Sequence, residues 1–406
     1  MNIGILTYGR VPNFGANLQS TSTYIYLQKK GHTPIYIYYL SKELYKKIEN
    51  SRMSNPQIQA HYDYFDSIVK NKTTPCHSPE DVNREIARLG IEAIIIGADA
   101  VLQHHPFFSR IVARRRPFPI GLLSYTSDRL FPNLFWGVGI DDHIKMAMMS
   151  VSNQNSEYKY FLPSTRKKMR KALDRLNYIS VRDRWTQKMI ASIDKRLQVN
   201  VTPDPVFAFN QNMAGYIPTK EKITAKFGLP KKYIVISLFD QTLSKKCLDE
   251  LKSSFKEKGL DCVVLPMPDE GVNFKHSFDY VIKVPLSPID WYAIIKYSLG
   301  YVGENMHPIV VCLHNGVPCY SIDNWGCRNF FHKPKNNGSS KVEDILITFG
   351  VEKNRSSIIR GKCDVSAQEI VSSLAAFPLD IVRKQASEYY NQYLSMMESI
   401  LNKLNC

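Results

Sequence analysis

Residues 2–30 read NIGILTYGRVPNFGANLQSTSTYIYLQKK, and this stretch contains the first predicted strand–helix unit. Residues 2–8 are a short apolar run that predicts a β-strand, and residues 17–30 have the pattern of a helix. The alternation continues with strands at 33–40 and 92–96 and a helix at 79–89. Strands that alternate with helices in this way are typical of an α/β fold with a parallel sheet.

A second series of strands and helices follows a polar segment at 211–218, which contains Gly and Pro and resembles a linker. We therefore predict two Rossmann-like parallel-sheet domains, at 1–210 and 218–375, that face each other across a cleft. Apolar residues recur at helical spacing over 380–404, which predicts a C-terminal helix within 376–406. Ligands of parallel sheets lie at the carboxyl ends of the strands, so we expect the site there.

Composition limits the class of protein. The 406 residues are 44% hydrophobic, which is enough for sizeable cores and excludes a disordered chain. The eight cysteines form no C-x-x-C pair, so we expect reduced thiols and a cytoplasmic protein. We expect neither a signal peptide nor a membrane helix, because no apolar run approaches the ~20 residues that a span needs.

Charge points to an anionic partner. The 53 Lys and Arg residues outnumber the 37 Asp and Glu residues, and residues 110–184 alone hold 15 basic against 6 acidic residues. Such a region can bind phosphate, nucleic acid or anionic lipid. We expect no nucleic-acid partner, since the sequence has no helix-turn-helix, RNP or zinc-finger pattern. Peripheral contact with the anionic inner face of a membrane stays open.

The loop after the first strand, at 7–19, is the first candidate site. Gly15 and other small residues let a ligand approach the backbone, and the following helix offers free N–H groups to an anion. Asn13 and Asn17 add side-chain amides. The alternative is an ordinary turn with capping residues.

Asp99 is the second candidate, because it directly follows the apolar strand at 92–96. A carboxylate at this position could orient a sugar hydroxyl or accept its proton. The alternative is a cap for the next segment. His104 and His105 follow, and we expect them on the surface rather than at a metal, since adjacent side chains point apart.

Two segments offer cations for an anionic ligand. Arg182 follows the predicted strand at 178–181 and suits a carboxylate or phosphate, although a surface pair with Asp183 is the alternative. Arg328 and Lys341 belong to a loop rich in Gly, Asn and Ser that could close over a phosphate or simply be solvated.

His307 falls at the start of a helix that follows the strand predicted at 299–302, next to Glu304 and Asn305. Pro308 fits the first helical turn, where its missing N–H costs nothing. A histidine near a helix N-terminus can serve in acid–base chemistry. The alternative is a histidine that only caps the helix.

Taken in order, these segments resemble the polysaccharide pyruvyl transferase family. The opening stretch GILTYGRVPNFGANLQS keeps the family's Asn-x-Gly-Ala-x-Leu-Gln core, and ISVRD at 179–183 and DPVF at 204–207 are similar to family segments. IIIGADAVL at 94–102 is similar to the Gly-Ser-Asp-Gln-Val-Trp segment, and GENMHP at 303–308 to the Ser-Phe-His-Gly block. Met306 and Pro308 replace Phe and Gly there.

The resemblance implies a GT-B-like fold and the transfer of pyruvate from phosphoenolpyruvate to a sugar of a surface-polysaccharide precursor as a cyclic ketal, with release of phosphate. It implies His307 as the acid, and Arg182 with Arg328 or Lys341 as the cations for the donor. Asp99, Asn13 and Asn17 then face the acceptor, which is lipid- or nucleotide-linked, and Gly15, Glu304 and Asn305 complete the substrate site. We expect no metal and no cofactor beyond phosphoenolpyruvate as co-substrate. The alternative is a GT-B glycosyltransferase that uses a nucleotide-sugar.

Overall fold

The computed structural model describes residues 1–113, 120–239, 241–266, 278–323, 338–358 and 362–405. These residues form an α/β protein with two six-stranded parallel sheets, one in each half of the chain. The α/β fold with two parallel-sheet domains is thereby confirmed. Arg328 lies outside the described residues.

The strands are numbered in chain order. The first half contains β1 (Asn2–Leu6), β2 (Thr33–Tyr36), β3 (Ala93–Asp99), β4 (Ile111–Ala113), β5 (Ile120–Leu122), β6 (Lys145–Val151), β7 (Tyr178–Val181) and β8 (Asn200–Val201). The second half contains β9 (Tyr233–Ser237), β10 (Asp261–Val264), β11 (Tyr280–Val281), β12 (Tyr301–Gly303), β13 (Cys319–Asp323) and β14 (Arg355–Ser357).

The helices are numbered in the same way. Those that pack on the first sheet or connect its strands are α1 (Phe14–Lys29), α2 (Lys42–Arg52), α3 (Pro56–Ile68), α4 (Pro79–Leu89), α5 (Phe107–Arg110), α6 (Pro163–Leu173), α7 (Arg184–Ile193) and α8 (Phe209–Asn212). The later helices are α9 (Lys220–Phe227), α10 (Lys245–Glu257), α11 (Pro288–Lys296), α12 (Met306–Asn315), α13 (Lys341–Thr348), α14 (Ala367–Ala375) and α15 (Leu379–Asn405).

Five neighbouring strands follow the same order in the two sheets, and each sheet has one further strand at an opposite edge. The first sheet is β2-β1-β3-β6-β7-β8 and the second is β11-β10-β9-β12-β13-β14. If β1 is matched with β9, then β3 corresponds to β12 and β6 to β13. Strand β3 is buried from Ala93 to Ala98, as expected for a parallel strand that helices cover on both faces.

The final helix, α15, ties the two halves together. It follows the second domain in the chain but packs against β6 and β7 of the first sheet and against α12 of the second domain. Ser150 at the end of β6 donates a hydrogen bond to the sulfur of Met396 (3.2 Å). The periodicity at 380–404 therefore predicted a real helix, and its buried face is a contact between the domains.

Several elements were not predicted from the sequence, among them α7, β8, α9, α13, β14 and α14. Helices α2 and α3 follow β2, and a short excursion between β3 and β6 contains α5 and the antiparallel pair β4–β5. Within the described ranges, no helix is long and apolar enough to cross a membrane.

Candidate active site

A cavity of about 760 Å³ lies between the two domains, at the carboxyl ends of strands from both sheets. The loops after β1 and β3 form one wall, and the loops after β9, β10 and β12 form the other. The sequence-predicted residues that line it are Asn13, Gly15, Asp99, Glu304, Asn305, His307 and Lys341. Residues from distant parts of the chain thus meet at one place.

The two asparagines of the first loop have different positions. Asn13 is exposed at the cavity, and its side-chain oxygen accepts a hydrogen bond from the backbone N–H of Ala16 (3.1 Å), which caps α1. Asn17 is fully buried; its amide donates to the backbone oxygen of Gly9, and its oxygen lies 2.6 Å from His61 Nδ1. Asn17 holds the loop in shape and does not line the cavity, contrary to the placement expected from the sequence.

Gly15 lies in the first turn of α1, against the imidazole ring of His307 from the other domain. A Cβ atom at position 15 would overlap that ring, so only glycine allows this close approach. Beside it, Phe14 stacks on Trp291 of the second domain, with ring centroids 4.9 Å apart. The first turn of α1 is therefore a contact between the domains, and Gly15 sets where His307 lies.

Asp99, the last residue of β3, is half-buried at the cavity wall. Its Oδ1 accepts a hydrogen bond from the backbone N–H of Ala100 (2.7 Å). Its charge acts on Arg182, His307 and Lys341, so these four groups form one electrostatic cluster. A carboxylate at the cavity, close to cations and an imidazole, is suited to acid–base work.

Arg182 belongs to a buried network behind the cavity. Its Nη1 donates to Asp204 (2.8 Å), and both side chains are almost fully buried. Burial opposes the charge, yet Asp204 and Asp99 hold the pKa of the Arg182 guanidinium above its usual value. The amide of Gln19 also donates to Asp204. The motif residues at 19, 182 and 204 are thus joined by hydrogen bonds through one carboxylate.

We expected Arg182 to face the cleft, and the structure places it differently. The residue is 5% exposed and does not line the cavity. Its Nε and Nη2 atoms have no hydrogen-bond partner within the described residues. The charge of Arg182 is thus paired with Asp204, and two of its N–H groups are still available as donors.

His307 is the second residue of α12 and has an unusual electrostatic setting. Burial lowers its pKa to about 4, and Arg182 and Lys341 act in the same direction while Asp204 and Asp99 oppose them. Its Nε2 has no hydrogen-bond partner among the described residues. The imidazole is therefore neutral at pH 7 and has an unused nitrogen.

Lys341 begins α13, after the Ser340 cap, and its side chain reaches the cavity. Burial lowers its pKa to about 8, and the charge of Arg182 adds to that shift. The ammonium is still mostly protonated at pH 7, so this wall of the cavity carries a cation. Arg328, the partner expected for it, lies outside the described residues.

Glu304 and Asn305 connect β12 to α12. Glu304 is 2% exposed and accepts hydrogen bonds from the Thr242 hydroxyl (2.5 Å) and the Phe239 backbone N–H (3.1 Å). Burial raises its pKa. Asn305 has φ +77° and ψ 153°, a backbone conformation that is rare outside glycine and costs ~1–3 kcal/mol. Strain of this kind is concentrated at functional sites.

The chain is similar to proteins of a known family. A sequence model of the family described as polysaccharide pyruvyl transferase matches residues 13–326. The chain belongs to the polysaccharide pyruvyl transferase family. A comparison with curated proteins gives no match.

Solved structures show the fold of this pyruvyl transferase family member. The UDP-GlcNAc 2-epimerase from Neisseria meningitidis, bound to UDP-GlcNAc, has a TM-score of 0.56 and 12% identity, and the match covers 99% of this chain and 100% of that one. The UDP-N-acetylglucosamine 2-epimerase from Rickettsia bellii gives 0.55 and 11%, with 100% and 97% covered. At such identities the likeness shows the fold alone, a GT-B-like pair of α/β domains.

Several polar residues of the cavity were missed from the sequence. They are Tyr8, Lys47, Gln103, Arg129 and Gln154. Tyr8 belongs to the loop at 7–19 and Arg129 to the basic region at 110–184, both of which are candidate regions from the sequence. Lys47 lies on α2, a helix that was not predicted. Within the described ranges, no three His, Cys, Asp or Glu side chains are arranged to hold a metal ion.

The expectation that His104 and His105 lie on the surface was wrong. His105 is 7% exposed, and its ring stacks on Tyr125 with centroids 3.8 Å apart. His104 accepts a hydrogen bond from the backbone N–H of Phe131 (3.1 Å). Burial lowers the pKa of both rings, to about 4 for His104 and about 3 for His105. Both are neutral packing residues at the base of the excursion.

Proposed function

We propose that the protein transfers pyruvate from phosphoenolpyruvate to a sugar of a surface-polysaccharide precursor, forms a cyclic ketal and releases phosphate. Family membership gives the coarser function, pyruvyl transfer in polysaccharide biosynthesis. The observation that carries the finer proposal is the cavity itself. It brings a carboxylate, an imidazole and an ammonium group together in Asp99, His307 and Lys341.

The donor needs cations because phosphoenolpyruvate carries a carboxylate and a phosphate. In the proposal Lys341, which lines the cavity, contacts the donor directly. Arg182 acts from behind the wall, where it offsets the charge of Asp204, which would otherwise disfavour an anion in the cavity. Arg328 stays a predicted donor ligand.

The reaction needs two kinds of proton transfer. Protonation of C3 of phosphoenolpyruvate makes C2 electrophilic, and a sugar hydroxyl adds to C2 as it loses its proton. A second hydroxyl of the same sugar then displaces phosphate from C2 and its proton passes to the leaving phosphate, which gives the ketal and inorganic hydrogen phosphate. We assign the acid to His307 and the base to Asp99; a positioned acid or base contributes ~10²–10⁴-fold in rate.

His307 must gain a proton before it can act as the acid. Its imidazole is neutral at pH 7 in the protein alone, because burial lowers its pKa to about 4. The carboxylate and phosphate of a bound donor raise this pKa, since negative neighbours favour the protonated ring. Donor binding is therefore coupled to proton uptake in this mechanism.

Calorimetry in buffers with different ionisation enthalpies measures that uptake. We expect the wild-type protein to take up a proton when phosphoenolpyruvate binds at pH 6–7. His307→Gln should lose the uptake and turnover while it keeps most donor binding, and His143→Gln, at an exposed position, should change neither. Binding without proton uptake in the wild type would remove His307 as the acid.

The acceptor sugar lies against the first domain in this proposal. Asn13 and Asp99 offer hydrogen-bonding groups on that wall, and Lys47 and Arg129 add cations. Two cations next to a sugar site suit the diphosphate of a lipid- or nucleotide-linked precursor. Glu304 and Asn305 are proposed to shape the donor side rather than to react, and Gly15 to fix His307.

A direct assay tests the proposed function. The purified protein is incubated with phosphoenolpyruvate and with free, nucleotide-linked or polyprenyl-diphosphate-linked sugars. Mass spectrometry then follows pyruvyl addition, and a phosphate assay follows release. We expect one acceptor class to gain a pyruvyl group, with one phosphate released for each. Consumption of a nucleotide-sugar with no phosphate release from phosphoenolpyruvate would refute the proposal.

The glycosyltransferase alternative differs in its donor. Thermal-shift measurements separate the two, because a ligand that binds only the folded state raises Tm. Stabilisation by phosphoenolpyruvate but not by nucleotides supports pyruvyl transfer. Stabilisation by a nucleoside diphosphate alone would favour the glycosyltransferase.

A further inference from the structure

The excursion between β3 and β6 leaves the first sheet. It contains α5 and the antiparallel pair β4–β5, in which Ile111 is opposite Leu122. The backbone N–H of Leu123 donates to the oxygen of Arg110 (2.9 Å), which ties the end of β5 to the end of α5. These two strands form a sheet of their own, separate from both six-stranded sheets.

Four large apolar side chains of this excursion are exposed, and we call them the hairpin patch. The exposed fractions are 58% for Phe107, 66% for Phe108, 49% for Leu122 and 39% for Leu123. The rings of Phe107 and Phe108 contact each other, with centroids 5.9 Å apart. Single exposed apolar residues are common, but four within one short excursion mark an interaction surface.

The chain around the hairpin patch is basic in sequence, with 15 Lys and Arg against 6 Asp and Glu over residues 110–184. A second segment is tied to the base of the excursion, because the ring of His104 contacts the ring of Phe161 (5.0 Å). Beside Phe161, Tyr160 and Leu162 are exposed, and α6 then presents the exposed lysines Lys167, Lys168 and Lys171.

The other basic residues of α6 are used inside the protein. Arg166 donates to the backbone oxygens of Ser192 (2.6 Å) and Tyr158 (3.0 Å), and Arg170 donates to that of Ile193 (3.0 Å). These two arginines therefore donate to backbone oxygens, at the end of α7 and at Tyr158, rather than to an external anion. The positive charge that is left for a partner lies on the exposed lysines.

We propose that the hairpin patch and the exposed lysines of α6 dock the protein on an anionic phospholipid bilayer. Phe and Leu side chains enter the boundary between headgroups and acyl chains, and exposed lysines attract anionic headgroups. The patch is small, apolar and flanked by one sign of charge, which fits a lipid surface better than a second copy of this basic chain. Docking does not depend on the proposed reaction.

The excursion also connects this surface to the cavity. At its base the ring of His105 stacks on Tyr125, and the amide of Gln103 donates to the backbone oxygen of Ala100 (2.8 Å). Gln103 and Arg129, which flank the excursion in sequence, line the cavity. The excursion is therefore anchored at the wall of the cavity that carries Asp99.

Vesicle co-sedimentation tests the docking surface. The full chain is mixed with vesicles of phosphatidylcholine alone, or of equal parts phosphatidylcholine and phosphatidylglycerol, at ~0.15 M salt and at higher salt. We expect at least ~10-fold more binding to the anionic vesicles, and less at higher salt. F107S/F108S should reduce that binding about tenfold. I347S/I381S, which changes two exposed apolar residues elsewhere, should bind like the wild type.

A charge variant and a hydrodynamic measurement make the test decisive. K167E/K168E keeps the apolar side chains and should weaken binding to anionic vesicles only. Equal binding to both vesicle types, or wild-type binding by F107S/F108S, would overturn the proposal. So would sedimentation-velocity data in which the wild type dimerises, F107S/F108S does not, and neither binds vesicles; the patch would then join two copies.

Discussion

Each domain places one carboxylate at the same position of its sheet, and the two carboxylates differ. Asp99 ends β3, and Glu304 directly follows β12, the equivalent strand of the second sheet. Asp99 is half-buried and accepts a hydrogen bond from the next backbone N–H, whereas Glu304 is almost fully buried and accepts hydrogen bonds from Thr242 and Phe239. Burial raises the pKa of Glu304. Topology thus supplies two carboxyl positions, and local packing decides which one is available for chemistry.

Replacement of the open carboxylate has the largest expected effect. Asp99→Asn keeps the shape and the acceptor for the Ala100 N–H but removes the base, so turnover should fall ~10²–10⁴-fold with little change in Tm. Steady-state kinetics with phosphoenolpyruvate and the identified acceptor measures it. Asp142→Asn, at a side chain that is 97% exposed, serves as the control and should be silent. Normal turnover in Asp99→Asn would place the base elsewhere.

Disruption of the contact between Gly15 and His307, which joins the two walls of the cavity, should give the next largest effect. Gly15→Ala pushes a methyl group into the imidazole of His307, and a displacement of about 1 Å can cost ~10²-fold in rate. We expect kcat to fall by about that factor with the circular dichroism spectrum unchanged. Gly215→Ala, where a Cβ meets nothing within 4 Å, is the matched control. If both variants turned over alike, Gly15 would not position His307.

Removal of a hydrogen bond to the sealed carboxylate should affect stability instead. Thr242→Val leaves Glu304 buried with one partner fewer, which costs ~1–3 kcal/mol of unfolding free energy. Turnover per folded molecule should change little. Urea unfolding measures the loss, with Thr224→Val on α9 as the control at a half-buried position. A large drop in kcat without loss of stability would instead make Glu304 part of the chemistry.

Lys341, on the cavity wall formed by the second domain, should give the smallest effect. That effect is a pH dependence of donor affinity. Lys341 is a cation below its pKa of about 8 and loses its charge above it, so donor affinity should weaken as pH rises through 8. One proton gives at most about a tenfold change per pH unit. Lys341→Met should bind the donor more weakly at pH 7 and flatten the profile. Lys353→Met, at an exposed position, should keep the wild-type profile, and a steep profile in Lys341→Met would exclude Lys341.

The sequence gives much of the fold for a physical reason. Buried parallel strands need continuous apolar runs such as Ile94-Ile95-Ile96, and these runs stand out from the polar surroundings. The long α15 is visible because its apolar residues repeat at helical spacing. Helices α2 and α3 were missed because their exposed faces are rich in polar residues, and with them the cavity residue Lys47 was missed.

The site was only partly predictable. Asp99 and His307 follow strands, and strand ends meet at one edge of a sheet, so both could be placed at the cleft. Arg182 follows a strand as well, but Asp204 and Gln19 hold it behind the wall. Whether a side chain faces the cavity or a buried partner depends on residues that are distant in the chain, and the local pattern does not contain them.

By itself, the sequence determined the α/β class, the two sheets and the family, because these depend on local periodicity and on ordered motifs. Only the tertiary structure decided that Asn17 supports a loop, that Gly15 lies against His307, and that Glu304 is sealed where Asp99 is open. The reason is that exposure, pKa and contact are properties of the packed environment. That environment forms only when two domains, and the helix that returns between them, come together.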